Sequence, residues 1–261
     1  MRVALTIAGS DSGAGAGIQA DIKTFAAHGV YGTTAITAVT AQNTLGVWSY
    51  QPLPADLVAA QIEAVVTDLG VDAAKTGMLP NAAIVESVAA AVTDLEIPLL
   101  VVDPVMIAKS GDSLVVDDVK EAMTAELLRR AFLVTPNIPE AEALSGITIR
   151  SDDDRRQAAK RIAALGAKNV VIKGGHLDTA DIRDLLYGHG EFVEFRHARI
   201  AGRHTHGTGC TFASSIAATL ALGGTLQDAI PRAQEYVAGA MAAGVDLGEG
   251  HQPLDHFFRY R

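Results

Sequence analysis

The chain has few of the features that announce a nucleic-acid, membrane or disulfide-bonded protein. A single cysteine among 261 residues excludes an internal disulfide, which fits a reducing compartment without requiring one. Positive charge is scarce: 21 Lys and Arg against 30 Asp and Glu leave −9 at pH 7. No diffuse field therefore favours nucleic acid or an anionic membrane surface, and any bound phosphate must be held by a few local groups. Sustained apolar runs are missing too. The longest uncharged stretches, Val30 to Ala55 and Gly207 to Gln227, are interrupted by Thr, Ser, Gly, Asn, Gln or Pro, unlike a membrane span. The amino terminus reaches a polar Gly/Ser segment too soon for a secretory core and reads as a first strand. The expectation is a cytoplasmic protein whose partners are neither nucleic acid nor membrane.

What is present fits one compact domain: 49% hydrophobic and 20% charged residues, with no linker, low-complexity tract or repeat to divide residues 1–261. Short β-rich runs recur at Val3 to Gly9, Thr34 to Ala41, Ala73 to Gly77, Leu99 to Asp103, Ala131 to Thr135 and Asn169 to Gly175. Between most of them lie segments of helical period: Pro54 to Leu69, Asn81 to Leu95, Val116 to Arg130 and Ser151 to Leu165. Apolar strands alternating with amphipathic helices predict an α/β fold with a mostly parallel sheet covered on both faces. Ile182 to Arg196, with a Gly-His-Gly turn at Gly188 to Gly190, predicts a hairpin on a sheet edge. Two successive helices, Gly207 to Leu222 and Leu226 to Leu247, close the pattern. Ligands of such sheets collect at the carboxyl ends of the strands. There the polar residues Asp11, Gln42, Asn43, Lys75, Asp103, Asn137 and Lys173 fall.

The common phosphate motifs are absent. In "GSDSGAGAGIQAD", Gly13 and Gly15 would need a third Gly or Ala at position 18, where Ile18 stands, and no acidic residue near the end of the second strand could hold a ribose. No lysine has Walker A spacing. These glycines have two readings, close strand-to-helix packing or a loop over a substrate. "THGTGC", Thr205 to Cys210, is more informative, because Gly207 and Gly209 bare backbone amides at the start of a helix. Such amides, with the helix dipole, bind anions without Lys or Arg. Cys210 in the same turn is either a thiol whose pKa the dipole lowers, or a small buried hydrophobe. His204, His206 and Cys210 lack a fourth ligand for zinc, which leaves His206 to shape the loop or to serve structure. In "TPNIPEAEAL", Asn137 and Glu140 can face a hydrated divalent cation or form a helix cap. Lys173, between an apolar strand and two glycines, is a partner for nucleotide phosphates or an ordinary surface lysine.

Seven segments in order, "LTIAGSDSGAGAGIQADIKTF", "AITAVTAQNT", "AKTGML", "VVDPVMIAKSGDSL", "LVTPNIPEAEAL", "VIKGGH" and "THGTGCTFASSIAA", resemble the bacterial hydroxymethylpyrimidine kinase / phosphohydroxymethylpyrimidine kinase family, of the ribokinase-like superfamily. The resemblance implies a three-layer αβα sandwich, a homodimer, and ATP- and Mg2+-dependent phosphorylation of the pyrimidine's hydroxymethyl group and then of the monophosphate. By the same resemblance Gln42 binds the pyrimidine edge, with Ala16, Asp21, Met78 and Val105 lining its pocket. Lys173 holds the ATP phosphates, and Asn137 and Glu140 form the cation motif beside Asp103. Gly207, Thr208, Gly209 and Cys210 match the anion hole and catalytic position, where sugar-kinase relatives carry Asp. The loop "DSGAGAG" departs from the commoner "DSSGGAG". Two other readings stand beside this one, a pyridoxal kinase of the same superfamily and a catalytically silent nucleotide-binding module. The silent module would be expected to lack Cys210, Lys173 or Glu140, and all three are present.

Overall fold

A computed structural model of the chain describes residues 1–106, 117–176, 181–200 and 204–261. Nine strands form one sheet in the order β3-β2-β1-β4-β5-β6-β7-β8-β9. They are β1 (Val3–Ser10), β2 (Tyr31–Asn43), β3 (Gly46–Pro52), β4 (Ala73–Thr76), β5 (Leu100–Val102), β6 (Leu133–Val134), β7 (Asn169–Ile172), β8 (Asp181–Gly188) and β9 (Glu191–Ala198). The six from β2 to β7 are parallel, while β3 and the β8–β9 hairpin pair antiparallel at the two ends.

The alternation of strand side chains sorts the core into two layers. Leu5, Ile7, Leu100, Val102, Val170 and Ile172 pack into one cluster with α2 (Ala55–Leu69), α3 (Ala82–Asp94), α4 (Asp117–Ala122), α5 (Ile138–Ser145) and α6 (Asp152–Ala164). Ala4, Val101 and Val171 point the other way, to α1 (Gly17–Ala27), α7 (Thr208–Ala221) and α8 (Leu226–Ala242). The result is the anticipated three-layer sandwich. Capping side chains fix several helix starts: Asn81 accepts from the Ile84 amide at 2.9 Å, and Ser151 from the Asp154 amide at 3.1 Å. Each satisfies an amide that has no partner within its helix. Among the described residues, no helix is long and apolar enough to cross a membrane.

The six expected strands and the Ile182 to Arg196 hairpin all form, as do α2, α3 and α6. Three differences have physical causes. Strand β3 shows no apolar alternation because Trp48, Ser49, Tyr50 and Gln51 are all exposed on the sheet edge. The helix expected over Val116 to Arg130 begins outside the described residues; from Asp117 it runs as α4, then loosens into a π turn and a 3-10 turn. Helix α8 stops at Ala242 rather than Leu247. Its cap, Ala243, donates to Gly239 O and the Gly244 amide to Met241 O, and Gly244 turns the chain back against the His204 ring, where a side chain would collide.

Strand β1 has β2 on one side and β4 on the other, so the chain reverses direction across the sheet at this point. Crevices open at such switch points. Here the starts of α1 and α7 meet above the ends of β1 and β4.

Candidate active site

A cavity of about 770 Å³ occupies that crevice. Its floor begins with the loop after β1. Asp11, 2% exposed, accepts from the amides of Gly13 (2.8 Å), Gly15 (3.0 Å) and Ala16 (2.8 Å), and pairs with His206 Nε2 at 2.9 Å. Burial alone would raise its pKa. The His206 hydrogen bond and charge, with the Ala16 and Gly13 amides, outweigh burial and hold it below the usual carboxylate value. Asp11 thus ties the first glycine loop to the second. The signal was an Asp followed by a glycine run just after a strand, but its remote partner, His206, cannot be read from spacing.

The second loop turns at Gly207, whose φ of +82° is left-handed. A Cβ there would also strike the Gly15 carbonyl, so only glycine suits the position. The first helical bond of α7 runs from the Thr211 amide to Gly207 O at 2.9 Å, and the Thr208 amide reaches Thr205 O at 3.4 Å. The amides of Gly209 and Cys210 lie in the unpaired first turn, facing the cavity. A Cβ on Gly209 would sit 3.7 Å from both Lys173 Nζ and Asp103 Oδ2. Bare amides and a cation therefore converge on one spot.

Cys210 lines the same cavity, beside Gly17 at the start of α1. The sequence reading of a lowered thiol pKa is overturned. Burial first, then Asp21 and Asp103, push the thiol up to about 11 against the opposing pull of Lys75 and the Gly17 amide.

Below the sulfur lies a saturated polar knot. Asp21 receives Lys75 Nζ at 2.9 and 3.1 Å, Thr6 Oγ1 at 2.6 Å and Ser214 Oγ at 2.5 Å. Both charged residues are fully buried. Asp21 thus lies beneath the pocket and is not part of its wall, unlike Ala16, Gln42, Met78 and Val105, which line it. Sequence could not show this, because the partner that draws Asp21 inward, Lys75, is 54 residues away.

On the far side, Lys173 Nζ lies 3.1 Å from Asp103 Oδ1 and 4.0 Å from Glu140 Oε2. Burial opposes its charge, but Asp103, Glu140 and Cys210 together raise its pKa. Glu140 moves up to about 7: burial dominates and Asp103 adds to it, against Lys173 and the Asn137 and Met106 amides. Asn137 and Glu140 do form the helix cap. The Glu140 amide donates to Asn137 Oδ1 (2.9 Å) and the Asn137 amide to Glu140 Oε2 (2.8 Å). Among the described residues, no three His, Cys, Asp or Glu side chains form a metal-ligand group. Two carboxylates beside a phosphate-sized space suit magnesium, which keeps most of its waters, better than a metal that needs an all-protein cage. Beyond Lys173 the wall turns apolar, with Ile182, Val237, Ala238 and Met241. The α8 part of that wall carried no recognisable motif.

The family described as phosphomethylpyrimidine kinase matches residues 11–255. The chain is 49% identical over 255 residues to the hydroxymethylpyrimidine/phosphomethylpyrimidine kinase of Bacillus subtilis (strain 168), covering 97% of this chain and 94% of that one. Among solved structures, an ADP complex of Bacillus subtilis pyridoxal kinase superposes with a TM-score of 0.92 at 39% identity, over 100% of this chain and 99% of that one. A phosphomethylpyrimidine kinase from Clostridium difficile 630 does so with a TM-score of 0.83 at 41% identity, over 92% and 100%.

Proposed function

The chain belongs to the phosphomethylpyrimidine kinase family, and from that premise we propose that it uses ATP to phosphorylate 4-amino-5-hydroxymethyl-2-methylpyrimidine and then its monophosphate, in thiamine biosynthesis. The observation that carries this reading is one cavity holding Gln42, Met78 and Val105 on one wall, Lys173 on the other, and the bare start of α7 with Cys210 between them. The Gln42 amide offers both a donor and an acceptor, which suits an aminopyrimidine edge.

Phosphoryl transfer is largely positioning and charge stabilisation, because the transition state is loose. The amides of Gly209 and Cys210, in the loop and first turn that run from Gly207 to Cys210, receive the charge that spreads over the phosphoryl oxygens. Lys173 holds the ATP phosphates from the opposite side. The acceptor oxygen bonds to the γ-phosphorus as the bond to ADP breaks, and the hydroxyl proton passes to Cys210 Sγ late in the step. That transfer needs the thiolate, and at a pKa of about 11 roughly one thiol in ten thousand is ionised at pH 7. Turnover should therefore rise with pH. Asp103, Asn137 and Glu140 would hold magnesium through water, since the cap and Lys173 already occupy several of their oxygens. When bound, the ion neutralises phosphate charge.

We also read the protein as a cytoplasmic homodimer. Exposed Leu45, Trp48 and Tyr50 on the β3 edge support a covered surface, and light scattering in solution tests it. The likeness to a pyridoxal kinase structure supports a second reading, that B6 vitamers are accepted. Competition between hydroxymethylpyrimidine and pyridoxal, read as kcat/KM, decides between them. The primary test is mass spectrometry of the products from ATP, Mg2+ and hydroxymethylpyrimidine. Mono- and diphosphate products are expected, and their absence would overturn the assignment.

A further inference from the structure

Residues 244–256, which follow α8, carry no recognisable motif, yet they touch both walls of the cavity. On the acceptor side they seat the tip of the β2–β3 hairpin. The His251 amide donates to Thr44 O at 2.9 Å, and the Gly250 amide to Thr44 Oγ1 at 3.3 Å. The seat is built of glycine: a Cβ on Gly250 would strike the Thr44 carbonyl, and one on Gly248, whose φ is +78°, would strike the Thr44 hydroxyl. On the anion-loop side, the His206 amide donates to Gln252 O at 3.2 Å, and His251 Nδ1 lies 3.2 Å from Thr205 Oγ1. The segment also closes on itself, with the Val245 amide 3.3 Å from Pro253 O. It is therefore a braced strap.

Inside the cavity, the direct link between the two walls is Gln42 Nε2 to His206 Nε2 at 3.5 Å. That separation is at the limit for a hydrogen bond; firmer ties come from Ser12, whose hydroxyl exchanges 2.7 and 2.8 Å bonds with the Gln42 backbone next to the Asp11–His206 pair, and from the strap, which braces the hairpin tip at Thr44. Resting on the pyrimidine-kinase reading above, we propose that Thr44, seated on Gly248, Gly250 and His251, is a positioning residue for the acceptor. The strap clamps the hairpin tip to the anion loop and, together with the Ser12 and Asp11 bonds at the other end of the turn, fixes Gln42 relative to Cys210. Small displacements of a positioned reactant cost large factors in rate.

The test is Gly250→Val, which fills the seat without touching a group that contacts either substrate. Acceptor KM should rise about tenfold while ATP KM stays within about twofold, and amides of residues 42–50 should exchange with deuterium faster than in the wild type. Thr44→Ala, which loses only the hydroxyl bond, serves if the first variant does not fold; about a threefold rise in acceptor KM is expected. Unchanged hairpin exchange, or acceptor and ATP KM rising together, overturns the clamp. A wild-type chain that makes no phosphorylated pyrimidine overturns the functional reading instead, and the exchange data still judge the strap.

Discussion

Two lysines meet the same cavity from the ends of two strands, and they differ in what surrounds them. Lys75, in β4, is wholly buried, and Asp21 takes it with both oxygens while Thr6 and Ser214 fill the rest of that carboxylate. Lys173, just after β7, keeps 16% of its side chain exposed and meets Asp103 from one side, with Glu140 at 4.0 Å. The first ammonium is neutralised inside the fold. The second is held charged but left open to a ligand. Similar strand-end lysines thus divide into support and chemistry according to how many carboxylate oxygens each already owns.

Lys173→Met should sharpen that contrast most, with kcat/KM falling about a thousandfold and a melting temperature near the wild type's. An unfolded variant would show that Lys173 also carries the fold. Lys75→Met should do the reverse: removing one partner of a buried pair costs about 3–5 kcal/mol, read by urea denaturation. Wild-type stability in that variant would break the comparison. The pH profile comes next. Because burial places the Cys210 thiol at about 11, its thiolate fraction grows as pH rises, and kcat/KM should climb about tenfold per unit from pH 7 to 9. Cys210→Ala should lower turnover far more than ATP affinity and abolish that slope; a flat wild-type profile would remove the thiolate from the mechanism. Gln42→Leu, on the opposite wall from Lys173, should raise acceptor KM about tenfold through an unpaired pyrimidine edge and leave ATP KM alone.

The central sheet was legible because its strands are apolar and period two separates their faces, as Leu5 and Ile7 against Ala4 show. Strand β3 was not legible, since an exposed edge strand needs no pattern. The candidate site divides in the same way. Gly207 to Cys210, Lys173, Asn137 and Glu140 stand out locally, by spacing against a strand or helix end. Whether Asn137 and Glu140 cap or bind could not be decided from sequence, and the cap that forms leaves Glu140 beside Lys173. The roles of Asp11, Asp21 and Thr44 depend on partners on distant strands or loops. Which of the two readings of the Cys210 thiol holds is hidden for a related reason: the dipole is read from the chain, whereas burial and nearby carboxylates depend on tertiary packing.

The bond between Asp11 and His206 joins residues 195 positions apart, and Gly207 fits only against Gly15. The loop after β1 therefore takes its final form only once residues some 195 positions further on are in place. Such distant closure is slow relative to local helix formation, so a nascent chain released near residue 200 would carry most of the sheet and no anion pocket.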